Sequence, residues 1–183
     1  QYHPEIGLLL NVEKDHQEID ELMQIFSTFR DNTKDIFITN RSNSLAAGIS
    51  RDVKNDFSVD ENSTAGFQAL NFSQHGFEIS FTVNDVPVKL NTVGKHNMEN
   101  ALAAIAVASR VGVSLQTAAE ALAKYEGIYR RHQIIGEKDG VVVVDDYAHN
   151  PAKCAASIAA CQPVAPKVIA WFQPHGYKPT RFL

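Results

Sequence analysis

The chain has 183 residues, 44% of them hydrophobic and 21% charged, with a formal net charge of −4. That apolar share supports a packed core and excludes wholesale disorder, and no apolar run approaches the ~20 residues a membrane-spanning helix needs. Mild acidity argues against nonspecific nucleic-acid binding, which requires a basic face, and the length allows one domain or two small ones.

The N-terminus, Gln1-Tyr2-His3-Pro4-Glu5, has neither an initiator Met nor a basic-then-apolar signal sequence, so the chain is expected to start within a longer protein. Residues 7–12, Gly-Leu-Leu-Leu-Asn-Val, form the short apolar run of a fully buried parallel strand. From Asp15 to Arg30, Ile19, Leu22, Met23, Ile25, Phe26 and Phe29 recur at helical spacing, and Asp35 to Thr39 reads as a second strand. Strand, helix, strand suggests a βαβ unit.

Between residues 48 and 93 the pattern becomes short β-rich runs: Phe57 to Asp60, Gly66 to Phe72, Phe77 to Val83 and Val86 to Val93. Gln74-His75-Gly76 and Asn84-Asp85 are turn signals, and connections this short predict antiparallel pairing. A buried helix follows from His96 to Gly112, with Ala101, Leu102, Ile105 and Ala106 at its centre. Ser114 is the expected N-cap of another helix that runs to Gly127. Beyond a boundary placed near Gly127, Arg131 to Ile135 and Val141 to Val144 are strands about the turn Lys138-Asp139-Gly140. Pro151 to Ala160 is a helix with proline in its first turn, and Lys167 to Phe172 reads as another buried strand. Cys154 and Cys161, seven apart on that helix, lie about 10 Å apart along its axis, too far for a disulfide. They are expected to be packed thiols in a reducing compartment.

Four segments gather chemistry at strand or helix ends. Val141-Val-Val-Val-Asp145-Asp146-Tyr147-Ala148-His149-Asn150 brings two carboxylates, a phenol and an imidazole to a loop before a helix N-terminus, where open α/β sheets bind ligands. Such acids suit ribose hydroxyls or a hydrated metal; in the blander alternative Asp146 or Asn150 caps the helix. Gln173-Pro174-His175-Gly176-Tyr177-Lys178-Pro179-Thr180-Arg181 follows the last strand, where Lys178 and Arg181 could hold a carboxylate or phosphate. His96, Asn97 and Asn100 open the buried helix; Asn97 and Asn100 share one face, and an amide matches the adenine edge or serves as a cap. Asn11-Val-Glu13-Lys-Asp15-His16 places carboxylates and an imidazole where Mg2+ or Mn2+ could bind. Tyr129-Arg130-Arg131-His132 is the one dense basic cluster, able to neutralise phosphate charge at a hinge. Gly94-Lys95 is no Walker loop, because Lys89 and His96 stand where Gly and Ser/Thr are required.

In this order the segments Asn11–His16, Gly94-Lys-His-Asn-Met-Glu-Asn100, Gly127-Ile-Tyr-Arg130-Arg131, Asp145-Asp-Tyr-Ala-His149-Asn-Pro and Phe172-Gln-Pro-His175 resemble the Mur ligases, builders of the peptide stem of bacterial cell-wall precursors. The resemblance implies an α/β chain made of two incomplete units. Residues 1–127 would be the rear of the central ATPase domain, a parallel sheet plus a small antiparallel sheet; residues 128–183 would be the front of a Rossmann-like, amino-acid-binding C-terminal domain. It further implies ATP and Mg2+ (or Mn2+) as cofactors and a cytoplasmic, bacterial setting. The reaction would be amide-bond formation between the UDP-N-acetylmuramate carboxylate and an amino acid, L-alanine first among them, via an acyl phosphate. No nucleic-acid or membrane partner is implied.

By the same resemblance His16 is the metal ligand, and His96, Asn97 and Asn100 hold adenine. Arg131 faces the phosphates, Asp145, Tyr147 and His149 meet ribose or reacting groups, and His175, Lys178 and Arg181 approach the incoming amino acid. Asn150 stands where the family has a second His, and Gly176 where it has Arg. Those departures leave a murein tripeptide ligase or a non-catalytic nucleotide-binding module of the same fold as alternatives. The family's P-loop lies upstream of this chain, so the 183 residues alone are expected to be inactive.

Overall fold

The computed structural model describes residues 2–13, 18–149 and 151–173. Strands β1 (Ile6–Leu9) and β2 (Ile36–Thr39) pair in parallel, Ile6 opposite Ile36 and Leu9 opposite Thr39, with helix α1 (Ile19–Asn32) between them in sequence. These strands read as unbroken apolar runs because both of their faces are covered. On β2, Phe37 packs with Leu22, Phe26 and Phe29 of α1, and Ile38 joins the opposite core. Phe29 meets Phe37 edge-on, their ring centroids 5.5 Å apart.

A one-turn helix, α2 (Ser44–Ala47), follows, with Asn43 Oδ1 accepting from Ala46 N at 2.9 Å. Strands β3 (Phe57–Ser58), β4 (Phe67–His75), β5 (Glu78–Val83) and β6 (Val86–Leu90) form one sheet in that order. The pairs β4–β5 and β5–β6 are antiparallel, and Asn84 and Asp85, at φ +45° and +69°, make the mirror-image turn that suits a two-residue hairpin loop. The antiparallel expectation fails at β3, which runs parallel to β4. Residues 59–66 double back, held by Gln68 Nε2 donating to the carbonyls of Asp60, Glu61 and Ser63. An isolated parallel bridge, Asn40 to Phe57, makes β3 a continuation of the β1–β2 direction.

Helix α3 (Lys95–Arg110) buries Met98, Ala101, Leu102, Ala103, Ile105 and Ala106 against this sheet and α4 (Leu115–Leu122). Each large aliphatic side chain buried there contributes roughly 1.5–3 kcal/mol. Ser114 caps α4 as expected, its Oγ accepting from Thr117 N at 3.1 Å. The helix stops at Leu122 rather than Gly127: every side chain from Ala123 to Arg130 is exposed, so no burial drives another turn.

Beyond this stretch the chain forms an antiparallel hairpin, β7 (Gln133–Lys138) and β8 (Val141–Asp145), turning at Asp139 and Gly140 with φ +53° and +77°. A bulge between Ile134 and Gly136 sets six residues of β7 against five of β8. Helix α5 (Pro151–Cys161) follows. Residues 167–172 are not a buried strand. No strand among the described residues pairs with them, and Ile169 and Trp171 are 80% and 97% exposed. Cys154 and Cys161 are free, half-buried thiols; burial, then the charge of Asp146, pushes the Cys161 thiol up. No helix of the described residues is long and apolar enough to cross a membrane.

Candidate functional site

The turn at residues 128–132, the hinge expected from the sequence, carries two left-handed residues that are not glycine, Arg130 at φ +56° and His132 at +46°. Each costs about 1–3 kcal/mol and persists only where its surroundings enforce it. At Arg130 the enforcement is local: its N–H donates to Gln133 Oε1 (3.0 Å), its carbonyl accepts from Tyr147 N (3.0 Å), and its Nε donates to Asp145 Oδ2 (3.1 Å). Both guanidiniums of the turn approach the Tyr147 ring, Arg130 at 5.3 Å and Arg131 at 5.9 Å. The tyrosine ring in turn lies 5.3 Å from that of His149, whose Nδ1 is 3.0 Å from the Tyr147 carbonyl oxygen. Arg131 from one sequence segment and Asp145, Tyr147 and His149 from another therefore form one cluster. β8 delivers three of them as it ends, and Arg131 comes from the turn that precedes β7.

Asp146 is largely buried, and its bonds go to the loop and the hinge turn, not to an N–H of helix α5. Its Oδ1 accepts from Ala148 N at 2.8 Å, and its Oδ2 accepts from His132 N at 2.9 Å with His132 Nδ1 3.3 Å away. The other ring nitrogen of His132 lies 3.1 Å from Ser157 Oγ on α5.

The head of α3 meets this cluster. The His96 and His132 rings are 5.4 Å apart at 31°, and burial, then His132, lowers the His96 pKa, with Asp146 opposing. Gly94 precedes the helix at φ +86°; a Cβ there would sit 2.7 Å from His96 Cε1 and 2.9 Å from Ala160 Cβ. Gln74 on β4 ties the same joint, its Oε1 accepting from Gly94 N and its Nε2 donating to the Ala160 carbonyl, both at 3.0 Å. Asn97 is half-buried and donates its amide hydrogens to Thr92 Oγ1 (2.9 Å) and the Val93 carbonyl (2.8 Å), which leaves its Oδ1 for a ligand. Asn100, a turn further along, is exposed.

At the carboxyl ends of β1 and β2, Asn40 Nδ2 donates to Glu99 Oε2 at 3.3 Å. Burial raises the Glu99 pKa; the Asn40 bond opposes this, and the nearby charge of Glu13 adds to it. Hard oxygen donors of this kind suit Mg2+, which keeps several waters and needs only one or two carboxylates. Among the described residues no group of three or more His, Cys, Asp or Glu could hold a metal alone. His16, His175, Lys178 and Arg181 lie outside the described residues, as does Asn150.

Sequence reasoning missed His132, Ser157, Gln74 and Glu99 as members of this region. His132 was visible only as part of a basic run, Gln74 only as part of a turn signal and Glu99 only within the segment that opens α3, and Ser157 stands in no motif. What unites them is tertiary.

Residues 1–108 match the Mur ligase middle domain, and residues 130–178 match the Mur ligase glutamate ligase domain. A UDP-N-acetylmuramate–L-alanine ligase from Caldicellulosiruptor bescii is 34% identical over 96% of this chain and 42% of its own length. The crystal structure of a UDP-N-acetylmuramate–alanine ligase from Thermotoga maritima superposes with TM-score 0.77 at 26% identity, covering 91% of this chain and 40% of that one. A murein peptide ligase from Psychrobacter arcticus gives TM-score 0.61 at 27% identity, over 88% of this chain and 35% of its own. The chain thus spans about two fifths of the length of the curated relatives it matches.

Proposed function

Because the chain belongs to the Mur ligase family, on the match of residues 1–108 to the middle domain, we propose that it is part of an ATP-dependent ligase joining L-alanine to the carboxylate of UDP-N-acetylmuramate in the bacterial cytoplasm. On this reading the rear of the ATP-binding domain runs to about Gly127, and the front of the amino-acid-binding domain follows. The observation that carries the reading is the joint itself. The arginine, Asp145 and Tyr147 cluster adjoins His132, whose ring meets that of His96 at the head of α3, so groups suited to phosphate, ribose and base gather at one joint.

A carboxylate does not accept an amine, because oxide is a prohibitive leaving group. Transfer of the γ-phosphoryl group to the carboxylate oxygen releases ADP and gives an acyl phosphate. The amine then attacks the carbonyl carbon, the carbon–oxygen bond to phosphate breaks, and amide, phosphate and a proton result. Catalysis of such a transfer is chiefly positioning and charge stabilisation. Arg131 would stabilise charge on the transferring group. Asp145, fixed by Arg130 at 3.1 Å, would accept from ribose hydroxyls, with Tyr147 and His149 bounding the ribose and the reacting groups. His96, Asn97 through Oδ1, and Asn100 would hold adenine. By the family resemblance His16 would hold Mg2+, which when bound neutralises phosphate charge; Glu99, which senses the charge of Glu13, would add hard oxygen donors. His175, Lys178 and Arg181 would face the amino acid's carboxylate.

The test is phosphate release by the intact protein with ATP, UDP-N-acetylmuramate and a panel of amines. L-Alanine is expected to give the highest kcat/KM, and the 183-residue chain alone, which lacks the P-loop, none. Preference for a murein tripeptide, or no turnover with any amine, would overturn the proposal.

A further inference from the structure

His132 stands where four segments meet: the hinge turn, the loop after β8, helix α5 and the head of α3. Its side chain is only 7% exposed and that of Asp146 17%. Both its backbone N–H and its Nδ1 address one carboxylate oxygen, Asp146 Oδ2, at 2.9 and 3.3 Å. An Nδ1–H donated to that oxygen leaves Nε2 as an acceptor, which Ser157 Oγ, 3.1 Å away, can supply with its proton. The result is a continuous chain of bonds from α5 through the hinge to the β8 loop.

We propose that His132 is a positioning residue for the reaction assigned above: bound by Asp146 and Ser157, it locks the hinge turn so that Arg131 on one side and Asp145 to Tyr147 on the other face the nucleotide. The proposal rests on that functional reading. Arg131 precedes His132 in the chain, and Asp145 and Tyr147 flank Asp146, so one imidazole sets the direction of both arms. The left-handed backbone at φ +46° is what the double grip on Asp146 maintains. The order Ser157, His132, Asp146 is also that of a nucleophilic triad. Ser157 lies in the middle of α5, however, where backbone N–H groups are engaged in the helix and supply no oxyanion donors. The relay holds; it does not react.

The experiment compares His132→Phe, His132→Asn and Ser157→Ala in the intact protein by steady-state kinetics, thermal unfolding and equilibrium binding of a non-hydrolysable ATP analogue. Misplacement of a charge-stabilising group by about 1 Å costs up to about 100-fold in rate. His132→Phe is therefore expected to lose about ten- to a hundredfold in kcat with the amino-acid KM within twofold. His132→Asn, whose amide can still donate to Asp146, recovers most of that loss, and Ser157→Ala falls between. Wild-type kcat in both His132→Phe and Ser157→Ala would overturn the assignment. So would parallel losses of kcat and unfolding temperature that Asn does not rescue. Should His132→Phe fail to fold, Ser157→Ala against wild type decides. Should the wild-type protein itself turn over no amine, the functional reading fails and the analogue's Kd decides: about tenfold weakening in His132→Phe sustains the positioning role, and an unchanged Kd rejects it.

Discussion

His96 shows how a single ring reports on its surroundings. Burial, then the neighbouring His132, holds its pKa below the ordinary histidine value of about 6.5. A depressed folded-state value means that the unfolded chain binds the proton first as pH falls. The stability due to neutral His96 is therefore fully present above about 6.5 and is lost as pH falls through the lower folded-state pKa. Denaturant unfolding between pH 7.5 and 5 is expected to show this decline, and His96→Gln should flatten the curve. A curve identical in both proteins would show that His96 does not titrate with folding. Asn97 carries a different lesson. Its amide was legible as a ligand for adenine or as a cap, and locally it ties Thr92 and Val93 to the helix start. Spacing places a side chain on a face; it does not say which of its hydrogens are already engaged.

Among the elements, apolar patterning located most strands and helices, as unbroken runs in β1 and β2, covered on both faces, and as a helical period in α1 and α3. It failed where neighbours decide the outcome. The apolar residues 167–172 look like any buried strand, yet a strand needs an adjacent edge. The parallel run of β3 depends on the Gln68 tether and the bridge to Asn40, neither of which is a local signal. The His132–Asp146 pairing was hidden for a third reason. Counting outward from the turn at Asp139 and Gly140 puts His132 opposite Tyr147, and only the bulge places Asp146 there. The start of α3 offers a direct test of how closely elements approach. Gly94→Ala would press a methyl group between His96 and Ala160 and impose φ +86° on an alanine. A loss of about 1–3 kcal/mol is expected from denaturant unfolding. Adding Ala160→Gly should recover part of the loss and not all of it, since the backbone conformation still disfavours alanine.

At the scale of the whole molecule, apolar surface is unevenly covered. Before Gly127, most large apolar side chains pack into two cores. Beyond it, Ile135, Val141, Val143, Ile169 and Trp171 are more than half exposed. Ile135, Val141 and Val143 border one hollow on the hairpin, and apolar surface of this kind suits contact with other protein. Trp171 is the one tryptophan of the chain and 97% exposed, so it reports directly on cover over residues 167–172. The 183-residue chain should emit with the red-shifted spectrum of a hydrated indole and be quenched by acrylamide almost as readily as free tryptophan. A blue-shifted, protected spectrum would show that the segment finds cover within the chain.

The bulged hairpin has a consequence for comparing this chain with others. Its two arms have unequal length, six residues facing five, and that inequality selects which side chain His132 meets. Ile135 contributes through its place in the count, not through its chemistry. Two hairpins with the same valines, the same turn and the same acidic pair could differ by one residue in one arm, and their hinges would then face different partners. For this joint, parity between the arms is a character to be compared in its own right, and an alignment by residue type passes over it.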